Sequence, residues 1–372
     1  MASSFKQITP NDRVSTRTLL HEAIPLTGTI VSGTYSDENI KNYSHGMFQS
    51  VFDYPFLSSS ANHIFDITAG YSSDSPRSGA ASAQNAKKIN IYNQMSQMLV
   101  GYDTAGNVLK FDEDGNILAG GKKLDDVVFL NFSRLLYKDE IKKGTFSLEL
   151  GVTPNFGYTG GAFLDRLLVT DYSGSDGYLV NSPLGEYGVL FVTASTNRAG
   201  VAILANDPIS TVRPACGLIY YQAGIAVLTS SLFTDAADGG LLNNSFGSVH
   251  MLGPESDEEI ISAVLSGSLI TGSADNIRNR IYNLQFNNTV ELNSTIYFCR
   301  ANHNEFNYSG NPTYLSSSQI RVKEVSSDEP VSYITTVGLY SENNELLAVG
   351  KLSEPLKKTP SNEFTIRTRL DY

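Results

Sequence analysis

The sequence predicts a mainly β protein with a few helices, an α+β chain of antiparallel sheets in β-sandwich-like domains. Three observations carry this. Short apolar runs rich in Val, Ile, Tyr and Phe are divided by Gly, Asp, Asn and Pro. At the C-terminal end, Phe364, Ile366, Thr368 and Leu370 alternate with Thr365, Arg367, Arg369 and Asp371, the period of a half-buried strand with a charged outer face. Clear helical spacing is confined to short stretches, of which residues 85–100 are the best: Ile89, Tyr92, Met95, Met98 and Leu99 recur at three- and four-residue steps before Gly101.

In chain order, residues 1–11 read as an extended arm. Leu19, Leu20, Ala23 and Ile24 share one helical face, ended by Pro25. Residues 26–34 (LTGTIVSGT) read as a strand. Residues 37–53 are expected to form a helix that buries Ile40, Met47, Phe48, Val51 and Phe52. Its stop is Asp53-Tyr54-Pro55, because the residue before a proline avoids the α region. Residues 71–83, rich in Ser, Gly and Ala, are a loop. Two turn units, Asp103-Thr104-Ala105-Gly106-Asn107 and Asp112-Glu113-Asp114-Gly115-Asn116, carry residues that tolerate positive φ. Residues 127–136 and 145–150 are strands around a charged turn at 138–143.

The β pattern continues through LLVTDYS, GEYGVLFVTAS, AGVAILA and CGLIYYQAGIAVLTSSLF. Ser256 with Glu259 fits a capping box opening a short helix over residues 256–265. Residues 281–286 and 295–300 are strands. Residues 332–340 and 345–352 make a hairpin across Glu342-Asn343-Asn344. These elements suggest three consecutive regions: a mixed α/β region with its extended arm at 1–150, a β-rich middle at 151–270, and a C-terminal β domain at 271–372.

Composition narrows the function. Charged residues are only 17% of the chain, below the usual quarter, and the 20 Tyr and 18 Phe exclude a disordered chain. A polar surface of Ser, Thr and Asn suits permanent partners. The net charge of −11 argues against a general nucleic-acid binder, which needs a basic surface. Cys216 and Cys299 lie in apolar runs far apart and read as buried thiols rather than a disulfide framework. Residues 1–10 lack a signal-peptide core, and no run approaches the length of a membrane span, so synthesis and folding in a cytoplasm are expected.

The motifs that would carry chemistry fail on spacing. Asp112, Asp114 and Asn116 imitate the start of a calcium loop, but Ile117 stands where glycine is required and Lys123 where glutamate is required. GNILAGGKK fails the phosphate-loop pattern twice, because Gly120 is followed by Gly121 rather than lysine, and Lys122 by Lys123 rather than serine or threonine. His21, His45, His63, His250 and His303 include no i, i+4 pair, and His303 with Glu305 lacks the cysteine pair of a zinc deaminase. Ser173-Gly174-Ser175-Asp176-Gly177 lacks the first glycine of a nucleophile elbow. The acid pairs Asp125-Asp126 and Glu258-Glu259 read as solvated. Two aromatic clusters, Phe48, Phe52, Tyr54, Phe56 and Phe298, Phe306, Tyr308, Tyr314, are core or interface anchors.

Several stretches carry a resemblance: LLHEAIPLTGTIVSGTY, NIKNYSHGMFQSVFDYPFLSSSANHIFD, KKINIYNQMSQMLVGYD, FLNFSRLLYKDEIKKGTFSLEL, NSPLGEYGVL, YYQAGIAVLTSSLF and STIYFCRANHNEFNYSGNPTYL. They resemble uncharacterised virion structural proteins of large contractile-tailed bacteriophages of the T4-like type, notably those of marine cyanobacteria, over nearly the whole chain. The C-terminal text SYITTVGLYSENNELLAVGKLSEPLKKTPSNEFTIRTRLDY is also similar to segments of phage tail and fibre proteins. The resemblance implies a virion location, in tail, baseplate or neck, and no catalytic residues.

The expectation is therefore a non-enzymatic virion protein without cofactor or metal, assembling with itself and with other phage structural proteins, with no membrane and no specific nucleic-acid partner. Contacts are expected through β-strand edges and aromatic side chains, with Phe364, Ile366, Thr368, Leu370, Tyr308 and Tyr314 as interface candidates and the arm at 1–11 as a second element. A tail protein that binds or processes host-surface carbohydrate is the alternative; a cleft with close carboxylates and stacked tyrosines would favour it.

Overall fold

The computed structural model describes residues 5–19, 24–25, 37–79, 82–117, 120–136, 139–152, 166–196, 203–204, 213–234, 240–243, 269–278, 280–309, 315–316 and 319–371. The strands are β1 (Arg13–Leu19), β2 (Ile24–Pro25), β3 (Ile40–Asn42), β4 (Gln49–Phe52), β5 (His63–Tyr71), β6 (Asp126–Asn131), β7 (Glu140–Ile141), β8 (Ser147–Gly151), β9 (Arg166–Thr170), β10 (Leu179–Ser182), β11 (Gly185–Thr196), β12 (Ala215–Tyr220), β13 (Ile225–Thr229), β14 (Ile281–Gln285), β15 (Asn287–Thr289), β16 (Glu291–Ala301), β17 (Leu315–Ser316), β18 (Gln319–Ile320), β19 (Ser332–Tyr340), β20 (Leu346–Lys358) and β21 (Phe364–Asp371). The helices are α1 (Ala83–Leu99), α2 (Gly174–Gly177) and α3 (Ile270–Arg278). The protein is mainly β with antiparallel sheets and few helices, as its sequence predicts.

The chain divides into two compact units: His21–Val290, and Met1–Leu20 together with Glu291–Tyr372. The larger unit is organised by one 11-stranded sheet in the order β14-β8-β9-β11-β12-β13-β6-β5-β4-β3, with β10 paired to β11. Cuts at 150/151 and 270/271 would run through this sheet, since β8 pairs with both β9 and β14. The division into three consecutive regions is corrected accordingly.

At the centre of the sheet, β12 and β13 read ACGLIY and IAVLT, and β13 is buried at every position. Such unbroken apolar runs belong to strands covered on both faces. Gly224, at φ +65°, turns the chain between them. On one face Phe65, Ile67, Leu130, Phe132, Phe146, Leu148 and Leu228 belong to the larger core cluster. On the other, Phe129, Tyr187, Leu218 and Val227 pack with α1.

Helix α1 is capped by Ser82, whose hydroxyl accepts the Asn85 N–H at 3.2 Å. It lies close on β5: a Cβ on Gly70 would sit 2.7 Å from the Lys88 carbonyl, so only glycine permits this approach. Its buried residues are Lys88, Ile91, Tyr92, Ser96 and Leu99, whereas the expected Met98 is exposed and Ile89 and Met95 are half-buried. The helix is where periodicity put it, with its inner stripe rotated.

Residues 37–53 are not a helix. A 3-10 turn at Asp37–Asn39 leads into β3 and β4, which pair with each other around Gly46 at φ +62°. β4 then pairs with β5. The spacing of Ile40, Met47 and Val51 fits either structure, and long-range pairing decides it. Leu19 and Ile24 likewise stand in β1 and β2, not on a helical face. The charged turn at 138–143 contains the two-residue strand β7, paired with β15. The strand expected at 26–34 and the helix expected at 256–265 lie outside the described residues.

The smaller unit holds a three-stranded sheet in the order β1-β16-β21, the separate hairpin β19-β20, and the short pair β17-β18. β1 and β21 flank β16 in unbroken antiparallel register. The hairpin turns at Asn344, at φ +64°. Its register slips between Ile334 and Thr336 as the partner moves from Leu356 to Lys351, and Pro355 falls in that irregularity, where no ladder hydrogen bond is asked of it.

Candidate assembly surface

The four interface candidates on β21 share one face. Phe364, Ile366, Thr368 and Leu370 stand opposite Ala301, Cys299, Tyr297 and Thr295 of β16 and are half-buried. The opposite face carries Arg367 and Arg369, with Arg300 beside them on β16. Arg369 Nε donates to Asp371 Oδ1 at 2.6 Å, and the Ser294 hydroxyl donates to the same oxygen at 2.6 Å. The Ser294 hydroxyl first, and the guanidinium second, hold Asp371 below its ordinary value. The outer backbone edge of β21 pairs with no described strand. Tyr308 is half-buried in the turn after β16, and Tyr314 lies outside the described residues.

The arm is engaged within its own unit. Lys6 Nζ donates to Glu305 Oε2 at 2.5 Å, Arg300 Nε to Asp12 Oδ1 at 2.8 Å, and the Phe5 ring meets the Tyr340 ring edge-on at 4.9 Å. A second anchor is Lys358, fully buried, whose ammonium donates to the His303 carbonyl (3.1 Å), Asn307 Oδ1 (2.7 Å) and the Thr359 carbonyl (2.8 Å). This ties the loop after β16 to the end of β20. His303 and Glu305 are thus joined to structural lysines and not to each other.

What the sequence did not disclose is the outward face of the hairpin. Tyr340, Leu346, Leu347 and Val349 are 45%, 54%, 67% and 60% exposed, and Tyr333 is exposed as well. Conversely, the only buried apolar residues of this unit among the described residues are Ala301 and Leu339. The smaller unit's eleven basic and eleven acidic side chains cancel, so the whole net charge of −11 resides in the larger unit.

The larger unit packs one cluster of ionisable groups beside its strands β7, β8 and β11. Asp171, fully buried, accepts from the Gly144 N–H at 2.7 Å, the Phe146 N–H at 2.9 Å and the Tyr221 hydroxyl at 3.1 Å. Burial nevertheless pushes Asp171 up to about 6, outweighing the three donors. Nearby, Lys143 Nζ contacts Glu140 (2.8 Å) and Glu186 (2.6 Å) and lies over the rings of Tyr178 and Tyr221 at 5.1 and 5.2 Å. Each of these groups is committed to a neighbour, which suits locking β7, β8 and β11 together better than reacting.

The two turn units are closed loops. Asp103 accepts the Ala105 and Asn107 N–H groups at 2.8 Å, and Asp112 is bound by Lys123. Among the described residues no group of three or more His, Cys, Asp or Glu is placed to hold a metal ion. Cys216 is buried, and its thiol is pushed well up by burial; Cys299 is half-buried on β16. No described helix is long and apolar enough to cross a membrane. Comparison with family models, with curated proteins and with solved structures finds no match to this chain.

Proposed function

We propose that this chain is a non-enzymatic structural component of a bacteriophage virion, in its tail, baseplate or neck, and that neighbouring subunits complete its smaller unit. One observation carries the reading: among the described residues, that unit exposes apolar strand residues and buries only Ala301 and Leu339 of the apolar ones. A two-stranded hairpin is marginal in water by itself, and an exposed apolar face of this kind marks an interaction site. The open edge of β21 accepts a further strand through backbone hydrogen bonds alone, while its half-buried face at Phe364, Ile366 and Leu370 sets the register. The charge distribution supports the same division of labour. Acidic bodies repel one another, and the neutral unit is where contact costs no net repulsion. The resemblance to phage virion proteins favours a virion as the location.

Deleting residues 363–372 tests this. The expected product is a folded chain, judged by near-UV circular dichroism, that is missing from purified particles or stops their assembly. Particles of normal yield and composition carrying the deletion would refute the reading. Mass spectrometry of fractionated particles is expected to find the chain in one substructure at a fixed copy number.

A further inference from the structure

A groove of about 420 Å³ opens on the α1 side of the large sheet, floored by β5 and β6 and walled by α1 and by the turn between β3 and β4. It has the size of a small-ligand site, 300 Å³ or more by the usual range of about 300–1,000 Å³. Its floor holds Asp66 and Asn131, directly opposite each other in the β5–β6 register. Side chains so paired start about 5 Å apart at Cβ, close enough to act on one ligand together.

Their roles are fixed by what else they bond. Asp66 Oδ1 is bound by the Ser50 hydroxyl at 2.5 Å and by His63 Nε2 at 2.6 Å, with the Tyr43 hydroxyl 3.2 Å behind Ser50. The carboxylate is therefore oriented before any ligand arrives. Asn131 Oδ1 accepts the Ser133 N–H at 2.9 Å, which orients the amide and presents its NH2 group as a donor. The floor thus sets an acceptor beside a donor.

The turn wall is aromatic and rigid. Tyr43 stacks on His45 at 5.2 Å, and Phe48 lies 4.7 and 5.1 Å from these two rings. The turn is held in place by Lys87 Nζ donating to the His45 carbonyl at 3.0 Å and by the Thr68 hydroxyl donating to the Met47 carbonyl at 2.6 Å. Gln94 of α1 adds an amide to the facing wall.

We infer that this groove binds a neutral hexopyranose unit. Two adjacent hydroxyls of such a ring can donate to Asp66 and accept from Asn131, while the apolar C–H face of the ring lies against Phe48 and His45. The negative carboxylate and the acidic body disfavour an acidic sugar. The inference goes beyond the assembly reading and stands or falls separately, since no residue of the smaller unit takes part.

Saturation-transfer NMR of the full chain with D-glucose, D-galactose, D-mannose and N-acetylglucosamine, each at millimolar concentration, tests it. Transfer to at least one sugar is expected, strongest at protons of one ring face. Asp66→Asn should weaken that sugar about tenfold or more, the loss of a hydrogen bond to a charged group, and Asn131→Ala about fivefold, the loss of a neutral one. Phe48→Ala should weaken it while the near-UV spectrum certifies the fold of all three variants. A dextran arm separates sources: tighter binding than glucose assigns the groove to a glycan chain, equal binding to a free sugar. The inference is overturned if none of the four sugars nor dextran receives transfer, if transfer is unchanged in the folded Asp66→Asn and Asn131→Ala variants, or if n-butylamine displaces the sugar, which would assign the groove to a cationic side chain.

Discussion

The two units of this protein spend the same kinds of residues in opposite ways. In the larger unit, β12 and β13 are buried almost throughout, and both hydrophobic clusters lie entirely within it. In the smaller unit, β20 reads LLAVGKLSEPLKK, as apolar at its start as a core strand, yet Leu346, Leu347 and Val349 are exposed. Apolar strand text therefore does not by itself mean core. The difference teaches that one unit covers its apolar strands with its own chain, whereas the other leaves apolar strand residues at its surface.

Hydrogen exchange should show the widest gap between them. Amides of β12 and β13 are expected to exchange only through global unfolding, and those of β19 and β20 through local opening, orders of magnitude faster. Equal protection would erase the contrast. Next in size is Phe132→Ala. Phe132 is fully buried against Phe65, Phe146 and Phe286 at 6.0, 6.0 and 5.5 Å. Its loss should lower the unfolding free energy by about 3–5 kcal/mol, read from the urea midpoint.

Asp171→Ala should cost about 2–3 kcal/mol by the same measure, because it strands the buried Phe146 N–H and the buried Tyr221 hydroxyl. The pH dependence of Asp171 sharpens the point. Its folded value, about 6, lies above the ordinary 3.8. The stabilisation from its protonated form is therefore complete below about pH 4 and disappears as the pH rises through 6. Relative to Asp171→Asn, the wild-type unfolding free energy should fall by roughly 2–3 kcal/mol over that window. A flat difference would show that the three donors, not burial, control the carboxyl. The smallest effect on stability belongs to Leu347→Lys, within about 0.5 kcal/mol because the side chain is 67% exposed. On the assembly role proposed above, its effect on incorporation into particles should nevertheless be severe.

The elements legible in the sequence are those whose pattern is local. The period of two in Phe364 to Leu370 became the half-buried face of β21, and the helical spacing at 85–100 became α1. The stripe of α1 was misjudged because apolar residues stand on more than one side of it, and only Gly70 shows which side meets the sheet. Residues 37–53 carry an apolar spacing that satisfies a helix, while the pairing to β5 that makes them strands lies outside any local window. The Asp66–Asn131 pair was invisible for the same reason, joined by register across 65 positions of chain. The exposed hairpin face could not be read at all, since its residue types are those of a core.

One consequence follows from the strand order β1-β16-β21. Leu19 of β1 meets Glu291 of β16, about 270 residues later in synthesis. At a ribosomal rate of about 5–20 residues per second, the first strand waits on the order of 15–60 s for its partner. Throughout that interval the smaller unit has no central strand, and the large sheet gains its end strand β14 only just before β16. The β1-β16-β21 sheet therefore cannot form until its last strand, β21, has been translated, so any contact the complete sheet makes belongs to finished chains.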